Sequence, residues 1–191
     1  MSRSSDAWSS IPLASLAAAL PALATLTPPS AQAAQYLSIE QAQKAAFPEA
    51  DRFEARVLRP TPEQQRALDA LAPVRQRGEV RQIEAWAGTQ RLGTLYVDDV
   101  IGKVEWITYA LALGPDGSVR NLEILEYRET HGFEVRTPSW RKQFAGHKAD
   151  APLHFGEDIK NISGATLSCS HLTAGVQRLL WLHTQGNRIP R

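Results

Sequence analysis

The sequence predicts an α+β domain in which a twisted, mainly antiparallel sheet packs against helices. Helix-start signals stand near both ends of the chain, apolar residues recur with period two between Glu79 and Tyr127, and turn-forming glycines punctuate that stretch.

The first helix signal is Ser38 with Gln41 three residues on, a capping box, followed by Ala42, Ala45, Ala46 and Phe47 on one side and ended by Pro48. Phe53, Ala55 and Val57 then alternate with charged residues, which predicts a short strand. A second helix opens with Thr61 as N-cap, Pro62 at the first helical position and Gln64 completing the box. It runs to about Leu71, with Leu68, Leu71 and Ala72 as its apolar edge.

From Glu79 the period becomes two. Val80, Ile83, Trp86, Leu92, Leu95 and Val97 lie in short stretches broken at Gly88 and Gly93, and Gly102 marks a turn before Val104 to Leu113. Pro115-Asp116-Gly117 is a tight-turn signal, and the strand after it carries Val119, Leu122, Ile124, Leu125 and Tyr127. The sheet's partner is the last helix, from about Leu167 to His183, whose Leu172, Val176, Leu179 and Leu180 share a face. Trp86, Trp106 and Trp181 are assigned to core or interface.

The first 33 residues read differently. Ile11 to Leu26 is an Ala/Leu run with Arg3 before it and Ala31-Gln32-Ala33 after it, the layout of a cleaved export leader with the mature start at Ala34. The run holds Pro12 and Pro21 and falls short of the ~20 apolar residues of a membrane span, so the mature protein is expected outside the cytoplasm, with no transmembrane helix. The expected division is 1–33 leader, 34–84 helical extension and 85–191 main domain.

Composition narrows the chemistry. The chain has 191 residues, 43% hydrophobic and 21% charged, a soluble globular profile, and its 21 Lys plus Arg against 20 Asp plus Glu leave no basic face for nucleic acid. A single cysteine, Cys169, allows no internal disulfide and no iron–sulfur set, and it lies too far from the leader to carry a lipid. The histidines at 131, 147, 154, 171 and 183 show no tight metal-ligand spacing, so any redox role uses an organic cofactor.

One segment stands out: Asn161-Ile162-Ser163-Gly164-Ala165-Thr166-Leu167-Ser168, small residues and hydroxyls where a helix begins. Helix starts present unpaired N–H groups and partial positive charge, and small side chains let a phosphate approach them. The same residues are also compatible with Ser163 or Thr166 serving only as an N-cap.

The string from Ser163 to Ser168, followed by an amphipathic helix, resembles the signature of the FMN-binding domain family, which includes the flavin-carrying C subunit of the sodium-pumping NADH:quinone reductase and the G subunit of the Rnf complex. Tyr127-Arg128-Glu129-Thr130-His131-Gly132-Phe133 resembles the family's Glu-Thr/Ser-x-Gly turn, and Trp140 to Phe144 followed by Gly146 resembles its Trp-x-x-x-Phe-x-Gly helix. The strands at Gly93 to Val97 and at Ile107 to Val119 also fit, so the resemblance runs from about Ala85 to Leu180. It makes residues 85–191 an FMN-binding domain, with FMN as cofactor and Ser163, Gly164, Ala165, Thr166, Leu167, Glu129, Thr130, His131, Gly132 and Trp140 around it.

In that family the matching threonine is esterified to the FMN phosphate, which makes Thr166 the attachment point. Covalently flavinylated members usually carry Asp three residues before the serine of the motif; here that place is Lys160, with Asp158 two residues earlier as the alternative acid and Lys160 as an alternative neutraliser of the phosphate. An unactivated threonine is a weak nucleophile, and His171, five residues on, points off the Thr166 face, so a separate flavin transferase drawing on FAD is expected.

The remaining candidates have two readings each. Glu129 is a pocket carboxylate or a solvated charge, His131 a partner of the ring or a surface histidine, and Trp140 a stacking ring or a core aromatic. Gly132 permits positive φ and close approach of backbone to the ring. Cys169, near a helix start, is expected to have a lowered pKa. By this resemblance the protein is an exported electron carrier served by a membrane-bound redox partner. A small flavin reductase acting on a soluble acceptor and a non-covalent FMN-binding or sensory module are the alternatives.

Overall fold

The computed structural model describes residues 34–77 and 79–186, so the expected leader lies outside the described residues. Both N-terminal capping boxes form: Ser38 Oγ accepts from the Gln41 amide at 3.2 Å to open α1 (Ile39–Ala46), and Thr61 Oγ1 accepts from the Gln64 amide at 3.2 Å to open α2 (Pro62–Leu71). The expected strand between them is β2 (Arg52–Leu58). It is an edge strand, and only Leu58 of its residues is buried.

The period-two region folds into β3 (Val80–Ala87), β4 (Gln90–Ile101), β5 (Trp106–Leu113) and β6 (Val119–Tyr127). With a two-residue β1 (Ala34–Gln35) on β6, the sheet has the order β1-β6-β5-β4-β3-β2, every neighbour antiparallel. All described residues fall in one compact unit, and β3 runs across position 84/85.

Gly88 opens the two-residue turn between β3 and β4 with φ +58°, as such hairpins require. Gly93, expected to break the strand, lies inside β4 instead. Ala85 pairs with Gly93 and Trp86 with Arg91, which leaves Leu92 as the extra residue of a bulge. A Cβ at Gly93 would stand 2.2 Å from the Leu113 carbonyl oxygen and 2.6 Å from the Phe47 ring. The glycine is there for close approach of α1's end to the sheet.

β5 is buried on both faces. Tyr109, Leu111 and Leu113 join one apolar cluster with α4 (Thr166–Gln185), while Ala110 and Ala112 join a second with Ala42, Ala46 and Phe47. The sheet is thus a middle layer, with small alanines under α1 and large side chains under α4. On α4, Leu172, Val176 and Leu179 are fully buried, as their spacing predicts. A Cβ at Gly175 would stand 2.6 Å from the Tyr109 hydroxyl, so this glycine lets the helix lie directly on β5.

A polar network crosses that interface. Arg178 of α4 is 1% exposed; its guanidinium reaches Asp69 at 3.3 Å and donates to Gln76 Oε1, while its Nε has no partner among the described residues. Gln76 in turn donates at 2.9 Å, and the Tyr109 hydroxyl at 3.0 Å, to the Asp98 carboxylate, which is 3% exposed. Burial pushes the Asp98 pKa up from 3.8 to about 6, against the pull of the Asp99 amide, the Tyr109 hydroxyl and Arg178. A carboxyl whose folded pKa is raised stabilises the fold fully below its unfolded pKa and loses that contribution as pH rises through the folded value. Between pH 4 and pH 6 this group is expected to remove on the order of 3 kcal/mol from the folded state. Denaturant unfolding across that range is expected to show a flatter pH dependence for Asp98→Asn than for the wild type.

Candidate functional site

Antiparallel pairing puts the end of β4, the start of β5 and the end of β6 at one end of the sheet, since Ile101 faces Trp106 and Ile107 faces Tyr127. α4 begins beside this end, and a cleft of about 660 Å³ opens there. Three segments line it: Lys103 and Val104 from the β4–β5 tip, Glu129 to Glu134 after β6, and Ser163 to Ser168 at the start of α4. The volume suits a small-molecule ligand.

The α4 start has no side-chain cap. Its N-cap is Ala165, so neither Ser163 nor Thr166 caps the helix. The first helical hydrogen bond runs from the Cys169 amide to the Ala165 carbonyl at 2.9 Å, and the amides of Thr166, Leu167 and Ser168 find no acceptor among the described residues. Gly164 precedes them at φ +86°. Thr166 is exposed, and its Oγ1 accepts from Asn161 Nδ2 at 3.1 Å, which leaves the hydroxyl proton unengaged.

Each pair of lining segments is braced. Glu129 Oε1 accepts from the amides of Val104 at 2.6 Å and Glu105 at 3.0 Å, so this carboxylate holds the β4–β5 tip. Gly102 makes room for it, because a Cβ there would lie 2.5 Å from Glu129 Oε1. From α4, His171 Nδ1 donates to the carbonyls of Ile101 at 2.7 Å and Gly102 at 3.2 Å. A carbonyl can only accept, so Nδ1 carries the proton. His171 therefore braces the tip, away from Thr166, as its helical phase predicts.

The third brace joins the loop after β6 to α4. Gly132 has φ +82°, and a Cβ there would stand 2.8 Å from the Tyr127 hydroxyl and 3.1 Å from the Ala165 Cβ. The close approach expected at Gly132 is thus made to protein. Tyr127 donates to the His131 carbonyl at 2.6 Å and lies 3.3 Å from Ser168 Oγ. The His131 side chain is exposed at the cleft, beside Thr130.

Two expected residues take other roles. Trp140 is 4% exposed and lies outside the cleft: it stacks edge-on against Phe144 with centroids 5.2 Å apart and donates through Nε1 to the Lys160 carbonyl at 2.8 Å. It supports the chain leading into Ser163. Cys169 is fully buried, and burial raises its thiol pKa, the reverse of the expected lowering. Its side chain lies on the core face of α4.

Lys160 and Asp158 also lie outside the cleft, on a neighbouring groove with Trp140 and Gln143. Asp158 accepts from the His154 amide at 2.8 Å, and this hydrogen bond lowers its pKa. The lysine that does line the cleft is Lys103, which nothing in the sequence pattern singles out. The rim is apolar. Val104, Phe133 and Leu167 are 69%, 57% and 45% exposed, three of the five exposed large hydrophobics among the described residues. A cleft with free helix-start amides, a lysine and apolar surface left uncovered by the fold fits a planar ring carrying a phosphate.

Glu129→Ala removes the charged acceptor of two amides on an exposed loop and is expected to lower stability by about 1 kcal/mol. Amide exchange at Val104 and Glu105 is expected to accelerate in that variant beyond the change at amides of β3, which reads the loop separately from the whole fold.

No curated protein matches the chain. Residues 102–180 match the family model of the FMN-binding domain, a segment that contains every residue lining the cleft. Residues 102–180 are a domain of the FMN-binding domain family, and the cofactor of this protein is FMN.

Proposed function

We propose that the protein is an exported electron carrier whose FMN is joined through its phosphate to Thr166. The observation that carries the covalent reading is the Thr166 hydroxyl: it is exposed at the first position of α4, beside amides without acceptors, and only Asn161 engages its oxygen. FMN supplies one- and two-electron chemistry when bound. The chain's own residues bind and orient it: the amides of residues 166 to 168 and Lys103 suit the phosphate, while Val104, Phe133 and Leu167 offer apolar surface to the ring.

Attachment requires help. The nearest histidine along α4, His171, has its Nδ1 proton engaged by two carbonyls, and no base contacts Thr166 among the described residues. A flavin transferase therefore supplies the base and the donor, FAD. In that transfer the Thr166 hydroxyl would be the nucleophile toward the FMN-side phosphorus of FAD, with AMP as the leaving group and the hydroxyl proton taken by the transferase. Lys160 and Asp158 are exposed on the adjacent groove, which supports that face as the one a transferase docks on.

The carrier reading also needs partners and a compartment. The leader pattern of residues 11–33 supports export, and no helix among the described residues is long and apolar enough to cross a membrane. The redox partner is accordingly a separate, membrane-bound protein, linked to a reductase or to quinol, which the exposed apolar rim can meet.

Protein isolated from its own host is expected to run on a denaturing gel as a flavin-fluorescent band, and Thr166→Ala is expected to lose that band. Release of all flavin from the wild type on denaturation would overturn the covalent reading. N-terminal sequencing of the same preparation is expected to begin at or near Ala34; retention of Met1 would overturn export by cleavage.

A further inference from the structure

Ser168 is the third residue of α4, lines the cleft and is 4% exposed. Among the described residues its hydroxyl has one neighbour able to hydrogen-bond with it, the Tyr127 hydroxyl at 3.3 Å. Tyr127 has a single proton, and the His131 carbonyl at 2.6 Å can only accept it. The Ser168 contact therefore runs the other way: Ser168 donates its proton to the Tyr127 oxygen. Gly132 fixes this arrangement, since the Tyr127 oxygen lies 2.8 Å from where a Cβ would be.

With its proton so used, Ser168 offers the cleft lone pairs alone. A phosphate near neutral pH offers mainly acceptor oxygens, so lone pairs against it repel. The flavin's donors are elsewhere, at the ring N–H and the hydroxyls of the ribityl chain. We propose that the Ser168 side chain is the acceptor in this cleft for a donor group of the flavin, an N–H or a ribityl O–H, and takes no part in holding the phosphate. This rests on the reading of the cleft as the FMN site. It divides the α4 start by chemistry: backbone amides for the anion, and the Ser168 side chain for a donor. Burial also raises the Tyr127 pKa, so that phenol keeps its proton for the His131 carbonyl.

The test uses the mature chain produced without a flavin transferase, so that binding is reversible, with fluorescence titrations of FMN and riboflavin. Ser168→Ala is expected to weaken both by the same factor, about five- to ten-fold for one neutral hydrogen bond in a partly enclosed site. A loss for FMN with riboflavin unchanged would make Ser168 a phosphate ligand and overturn the proposal, as would no change for either. Lumiflavin, which keeps the ring N–H and lacks the ribityl hydroxyls, separates the two donors: a matching loss places the donor on the ring, and an unchanged affinity places it on the ribityl chain. A wild type that binds neither FMN nor riboflavin would remove the cleft assignment itself, a result distinct from any outcome of the variant.

Discussion

The Tyr127 hydroxyl and the Ala165 Cβ leave no room for a side chain at residue 132, and the site depends on that constraint. It brings the turn after β6 against the first residues of α4, two segments separated by more than thirty positions in the chain, and fixes the gap between them at backbone contact. Gly132 meets both demands at once, a φ of +82° and the absence of a Cβ. A larger residue there would displace the start of α4 together with the turn. The loop glycine is thus a structural element of the cleft.

Around that contact the other braces are electrostatic. Glu129 reaches across to two amides of the β4–β5 tip, and His171 reaches up from α4 to two carbonyls of the same tip. One carboxylate collecting donors and one imidazole N–H shared between acceptors hold the four-residue loop. The loop then delivers Lys103 and Val104 to the cleft, one charged and one apolar. At the β1 edge, Arg136 lies 3.5 Å over the ring of Tyr36, which ties the N-terminal segment to the turn carrying Phe133 and Glu134.

What was legible in the sequence was local. The two capping boxes, the Pro115-Asp116-Gly117 turn and the face of Leu172, Val176 and Leu179 each lie within one element, where spacing alone specifies geometry. The segment from Ser163 to Ser168 was legible as a helix start for the same reason, while its reading as a flavin site came from the family resemblance and not from spacing. Glu129 was found, but its task was not, because that depends on the register of β5 against β6 and on a loop 25 residues away. Lys103 was missed on the same ground. Gly93 misled because turn and bulge use the same residue, and only Phe47 and the Leu113 carbonyl distinguish them. Cys169 misled because a helix start does not say which face turns inward, and for the same reason aromatic spacing left Trp140 with two readings, of which the core one holds; both turn to the core.

The cleft's shape bears on why a covalent link would suit this protein. Its apolar rim is largely exposed, so a ring lying there would bury only part of its surface and retain an edge open to solvent. Such a site gains little from the hydrophobic effect and holds a ligand loosely. Deepening the cleft would raise affinity, yet it would also cover the edge that a redox partner would need to reach. The proposed ester to Thr166 would separate the two requirements. It would keep the ring at the site at high effective concentration whatever the contact area, and would leave Val104, Phe133 and Leu167 at the surface. On the covalent reading, the open cleft and the exposed hydroxyl at the first position of α4 would serve one design, in which a bond retains the ring and the uncovered rim is left for electron exchange.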